Sequence, residues 1–233
     1  MQSPPLVIKQ TLERERFGGS QSTGSAVWSG GLALVREMER QGSEYWRGKR
    51  AVELGAGTGL ASIAAAKLGA ASAIATDGDA AVLELATANA NANLDKLERA
   101  AFSARQLRWG SPVSDAALLG ADVVLAADVT YSRDAWPLLA QTMRSLGAPV
   151  LLSASERRPG EIEALRDYLA AAGLKSALVD SPMAVGYAAE KVKLMWLERP
   201  GSEQCTFWTE EESFAAVEPV LGVRCQKPLA KIR

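Results

Sequence analysis

Three glycines in five positions, Gly55, Gly57 and Gly59, follow the run Ala51-Val52-Glu53-Leu54. Glycine admits φ > 0 and lets a main chain approach a ligand closely. A loop of this kind is either a tight strand-to-helix connection or a cofactor seat. The dinucleotide fingerprint G-x-G-x-x-G needs its third glycine where Leu60 stands, so the spacing counts against NAD and FAD. No Gly-Lys-Ser/Thr follows, which excludes a Walker loop. Asp77, 22 residues after Gly55, can accept both hydroxyls of a ribose or simply start a helix. Trp109 offers a flat apolar face and one N–H donor, for a stacking wall or for plain core. Asp128 and Tyr131, in A-D-V-T-Y, read alone as a helix-capping aspartate and a packing tyrosine. Glu53 can touch a cofactor or bind local main-chain amides.

These residues need a frame. "LVIKQT" (6–11) reads as a strand, and 15–25 as a Gly/Ser-rich loop. Residues 27–42 carry Val27, Trp28, Leu32, Leu34, Val35 and Met38 at helical spacing, with Gly42 as a stop. Strands are expected at 50–54, 71–77, 100–110, 121–128 and 148–155. Helices are expected at 60–69, at 79–94 with Asp79 as cap, at 134–147 and at 160–173. The run N-A-N-A-N (89–93) reads as the surface end of a helix. Residues 174–180 and 189–199 read as a strand pair with no helix between them. Strand–helix alternation indicates an α/β, doubly wound, mostly parallel sheet with an antiparallel edge strand. One domain is expected over 1–233: an extension (1–48), a core (49–198) and a tail (199–233) in which 207–221 can form a short helix. In such sheets ligands bind beyond the carboxyl ends of the strands, near the switch in strand order. The glycine loop, Asp77, Trp109 and Asp128 all fall there.

Composition removes other chemistries. The chain of 233 residues contains no histidine. Ser-His and Cys-His nucleophiles, and most zinc sites, are therefore unavailable, and no metal site is expected. A net charge of −1 provides no global field toward nucleic acid or membrane. No apolar run reaches membrane-span length, and the N-terminus lacks a signal-peptide pattern. Cys205 and Cys225 do not make a disulfide framework and suit a reducing compartment. A cytoplasmic monomer is the default expectation, with a nuclear location left open.

"VELGAGTGL", "ATD", "NANAN", "LRWG" and "VLAADVTY" occur in order and at fitting intervals. Together with "GSAVWSGGLALVREM" upstream they resemble the seven-β-strand S-adenosylmethionine-dependent protein lysine methyltransferases with a D-x-x-Y signature after the fourth strand. The resemblance covers roughly residues 20–198 and implies a Rossmann-like, seven-stranded class I fold. It implies S-adenosyl-L-methionine as cofactor and a lysine-bearing protein as substrate. Gly55, Ala56 and Gly57 would run along the methionine moiety, Asp77 would hold the ribose, and Trp109 would flank the adenine. Trp28 and Ala127 would line the same pocket. Asp128 and Tyr131 would form the methyl-transfer face. Ser29 stands where the family often has an acid, and the tail beyond 200 matches nothing in it. D-V-T-Y in place of Asn/Asp-Pro-Pro-aromatic argues against a nucleic-acid amino-methylase. Methylation of another protein side chain or a small molecule, and a non-catalytic cofactor-binding module, are the alternatives.

Overall fold

A computed structural model describes residues 5–10, 23–179, 192–198 and 223–226. The central parallel strands are apolar on both faces. β2 (Arg50–Leu54), β3 (Ser72–Asp77), β4 (Phe102–Gln106), β5 (Val123–Ala127) and β6 (Val150–Ser155) run parallel. Their residues alternate between two cores. Val123 and Leu125 pack on one face of the sheet, Val124 and Ala126 on the other, and all four are fully buried. Period-2 alternation with both sides apolar marks a sheet covered by helices twice. Burying each such side chain contributes about 1.5–3 kcal/mol.

β7 (Lys175–Leu178) and β8 (Val192–Glu198) complete seven strands in the order β4-β3-β2-β5-β6-β8-β7. The antiparallel pairings gather at one edge, as the strand pair led us to expect. β8 carries them, inserted between β6 and the outermost β7. The order reverses between β2 and β5, which places the switch point at the end of β2.

Helices α2 (Leu60–Lys67), α3 (Ala80–Asn93), α6 (Trp136–Leu146) and α7 (Glu161–Ala171) are the connections, and Asp79 caps α3 through Ala81 N–H at 2.9 Å. α1 (Ser29–Trp46) outruns its expected stop. Gly42 breaks the helical conformation at φ 77°, but the chain then resumes to bury Trp46, whose Nε1–H donates to the Met38 carbonyl at 3.0 Å. Two short helices, α4 (Lys96–Ala101) and α5 (Ala116–Leu119), fall where none was expected. α4 is started by a capping box between Asp95 and Glu98.

The run 89–93 is not simply a helix end on the surface. Asn89 is 1% exposed, and it seats the N-terminal strand β1 (Leu6–Lys9). Asn89 Oδ1 accepts from Lys9 N–H (2.9 Å) and its Nδ2 donates to Lys9 C=O (3.1 Å). Asn93 does the same for Val7 at 2.7 and 3.0 Å. Four residues along a helix rise about 6 Å and two along a strand about 6.6 Å, so one helix face can imitate a strand edge. On its other edge β1 pairs in parallel with β9 (Val223–Gln226). Cys205 and the helix expected at 207–221 lie outside the described residues.

Candidate active site

A cleft of about 930 Å³ opens at the carboxyl ends of β2, β3 and β5. Trp28, Gly55, Ala56, Gly57, Asp77, Trp109, Ala127, Asp128 and Tyr131 all line it. The fold thus brings these nine candidate residues to one place, while Gly59, the third glycine of the loop, does not line it.

The floor is built by close approach. Gly55 and Gly57 have φ of 62° and 54°. A Cβ on Gly57 would sit 2.8 Å from the Gly24 carbonyl oxygen, and one on Gly55 would sit 2.8 Å from Val129 Cγ1 and 3.1 Å from Trp109 Cζ2. Side chains there would close the contact between the loop and its neighbours. Asp77 fastens the loop, its Oδ2 accepting from Gly57 N–H at 3.2 Å and its Oδ1 from Asp79 N–H at 3.0 Å. Burial holds the Asp77 carboxyl above the usual aspartate range, and these amides partly offset the effect. A carboxylate has about four acceptor positions, so capacity remains for a ligand hydroxyl.

The opposite wall is strained. Asp128 is the one non-glycine with positive φ (57°) among the described residues. Aspartate tolerates the left-handed region better than most, at a cost of about 1–2 kcal/mol. Its Oδ1 accepts from Arg157 Nη2 at 3.1 Å and from Ser155 N–H at 3.3 Å. Its main-chain N–H donates to Ser153 C=O at 2.9 Å. Gly30 lets α1 press against it, since a Cβ there would lie 2.8 Å from Asp128 Cβ. Trp28 and Tyr131 are about half exposed and border the cleft as aromatic rims.

A family model described as lysine methyltransferase matches residues 8–170, most of the chain. The chain belongs to the lysine methyltransferase family. Protein N-lysine methyltransferase METTL21A of Danio rerio is 38% identical over 124 residues, 53% of this chain and 56% of that protein. The chain therefore spans little more than half the length of that relative. Protein-lysine N-methyltransferase EFM3 of Chaetomium thermophilum is 30% identical over 194 residues, 74% of this chain and 53% of its own. Among solved structures, the methyltransferase domain of bacterial CtHen1-CN superposes with a TM-score of 0.58 at 14% identity, covering 72% of this chain and 98% of that one. That likeness concerns the fold.

In this member of the lysine methyltransferase family one cleft residue has no signal of its own in the sequence, and a second, Glu53, has its role decided by the structure. Arg157 stands two residues past β6, and only the strand order shows that it meets Asp128. The rule that ligands gather at strand carboxyl ends would have flagged its loop. Of the two roles open to Glu53 in the sequence, the structure shows the binding of local groups. Its Oε2 accepts from Ser62 N–H (2.8 Å) and Ser62 Oγ–H (2.6 Å). It also lines the cleft.

Burial pushes the Glu53 carboxyl up to about 7, against the lowering effect of the Ser62 hydrogen bonds. The folded state therefore holds a proton that the unfolded chain releases near 4.5. Stability from this group is fully present below the unfolded value and is lost as pH rises through about 7. The expected loss is roughly 3 kcal/mol at 1.36 kcal/mol per unit. Glu53→Gln keeps the acceptor and removes the titration. Urea unfolding at pH 5 and pH 8 is expected to show a smaller pH difference in the variant than in the wild type. Equal differences would contradict the assignment.

Proposed function

We propose that the protein is an S-adenosyl-L-methionine-dependent methyltransferase acting on a lysine side chain of a protein substrate. One observation carries the reading: the glycine loop, Asp77, Trp109, Asp128 and Tyr131 converge on a single cleft at the sheet's switch point. The names of the relatives support the same substrate class.

The residues fit the cofactor. The two loop glycines leave main chain, without side chains, facing the cleft. Asp77 is placed to accept ribose hydroxyls, Trp109 gives the adenine a flat face, and Trp28, Ala56 and Ala127 line the remainder. When bound, S-adenosyl-L-methionine supplies an electrophilic methyl group on a sulfonium. The protein then needs no histidine, since its part is orientation and electrostatics.

A lysine acceptor has an ordinary pKa of about 10.4 and must lose a proton before it attacks. Desolvation between Trp28 and Tyr131 lowers that value, and water carries the proton out. Tyr131 holds the amine by cation–π contact, which contributes about 0.5–2 kcal/mol and orients it. Asp128 has Oδ1 committed to Arg157 and Ser155. Its second carboxylate oxygen and its main-chain carbonyl are the acceptors left to aim the amine. The strained turn fixes where they stand.

The test is transfer of labelled methyl from S-adenosyl-L-methionine to proteins of a cell extract. Label that protease converts to small peptides, and that hydrolysis returns as methyl-lysine, is expected. Asp128→Asn is expected to lower turnover about 10²-fold, with affinity for S-adenosylhomocysteine held within about threefold. Protease-resistant label would point to a small-molecule substrate, and full turnover in Asp128→Asn would remove the residue from the mechanism.

A further inference from the structure

Asn89 does more than seat β1. Its Nδ2 also donates to the Thr58 carbonyl at 3.0 Å, inside the glycine loop. One buried amide thus joins the N-terminal strand to the cofactor loop. The joint lies at a sensitive place. Thr58 is flanked by Gly57 and Gly59, with φ of 54° and 78°. Glycines exchange such conformations readily when nothing holds the peptides between them. The Thr58 carbonyl is held on one side by Asn89, and Asp77 holds the Gly57 N–H on the other. Asn93 supplies the comparison that a lone asparagine could not. It is four residues away on the same helix face, bonds Val7 in the same way, and donates its other hydrogen to Asn89 C=O at 2.8 Å within the helix. Of the pair, Asn89 is the one bonded to the loop.

We infer that Asn89 is a positioning residue: it transmits the docking of β1, and through β1 that of β9, to the glycine loop, and so sets cofactor affinity. The second half of this statement rests on the reading of the loop as the S-adenosyl-L-methionine seat. β1 satisfies one edge on β9 and the other on Asn89 and Asn93. Loss of either partner leaves the strand's main chain half-paired and loosens the amide that holds Thr58. Residues far apart in sequence, at 6–9 and at 223–226, thereby act on the cleft without lining it.

The test uses the full chain. Hydrogen exchange across 55–61 and the calorimetric affinity for S-adenosylhomocysteine are measured for wild type, Asn89→Asp, Asn93→Asp and Lys9→Pro. Asn89→Asp removes both donors and turns an oxygen toward two carbonyls. Loop exchange is expected to rise about tenfold and affinity to fall about tenfold, the size of one buried hydrogen bond. Asn93→Asp loosens β1 at Val7 without touching Thr58, so it is expected to raise loop exchange and lower affinity only about two- to threefold, less than Asn89→Asp does. If Asn89→Asp does not fold, Lys9→Pro decides. It removes the N–H that Asn89 Oδ1 accepts, fixes φ at residue 9 in place of an exposed lysine, and is expected to raise loop exchange. Unchanged loop exchange in Asn89→Asp and Lys9→Pro would overturn the coupling, as would an equal rise in Asn93→Asp. Wild type that fails to bind S-adenosylhomocysteine would sink the cofactor reading instead, and the exchange data would still decide the coupling.

Discussion

Gly57→Ala is expected to abolish binding of S-adenosylhomocysteine in a titration that easily detects it with wild type. The added Cβ would meet the Gly24 carbonyl oxygen at 2.8 Å and Gly24 Cα at 3.3 Å. Both are main-chain atoms, so no side-chain rotation relieves the contact. The left-handed φ of 54° adds about 1–2 kcal/mol for a non-glycine residue. Overpacking in a tight interior adds about 1–3 kcal/mol. Together these amount to roughly 2–5 kcal/mol, more than thirtyfold in affinity if the loop absorbs them. Gly42→Ala is the matched control. Its φ is 77°, a Cβ there would meet nothing within 4 Å, and Gly42 does not line the cleft. It is expected to lower Tm by a few degrees, with affinity unchanged. Gly57→Ala binding within about threefold of wild type would show that the 23–28 segment yields to the loop at little cost.

Asp77→Ala is expected to weaken S-adenosylhomocysteine by about a hundredfold or more. Two effects combine. The carboxylate loses the ribose hydroxyls, and hydrogen bonds to charged groups contribute about 1.5–3 kcal/mol. The glycine loop also loses its anchor at the Gly57 N–H. Asp77→Asn separates them, because an amide oxygen still accepts from the loop but carries no charge. Its affinity is expected to fall about tenfold. Burial holds the Asp77 carboxyl above the ordinary range, so affinity should decline earlier on acidification than for an exposed aspartate. Wild-type affinity retained in Asp77→Ala would remove both roles.

The sheet was legible because its central parallel strands are short, largely apolar runs, "AVEL", "AIAT" and "VVLAA", bounded by glycine or aspartate and alternating with helical segments. The cleft was legible because distinctive side chains sit where each strand ends. What escaped depends on partners distant in the chain. Asn89 and Asn93 look like surface residues until the main chain of β1 is laid against them. Arg157 has no pattern of its own, and its meeting with Asp128 follows from the β5–β6 pairing. The insertion of β8 between β6 and β7 is a long-range choice with no local mark. α4 did carry a signal, Asp95 and Glu98 at capping-box spacing, but at six residues it shows no apolar period.

The contact between Gly24 and Gly57 has a kinetic consequence. The 23–28 segment borders the cleft, yet it contributes no strand to the ladders that join β2 to β3 and β5. Swinging it aside would cost the Val27 N–H bond to Gln10 Oε1 (2.7 Å) but no strand–strand hydrogen bond. Exchange of spent for fresh donor can then run at the microsecond-to-millisecond pace of loop movement while the sheet stays whole. On the proposed reading, donor exchange would then be paced by a segment outside the sheet, and added viscogen would slow turnover.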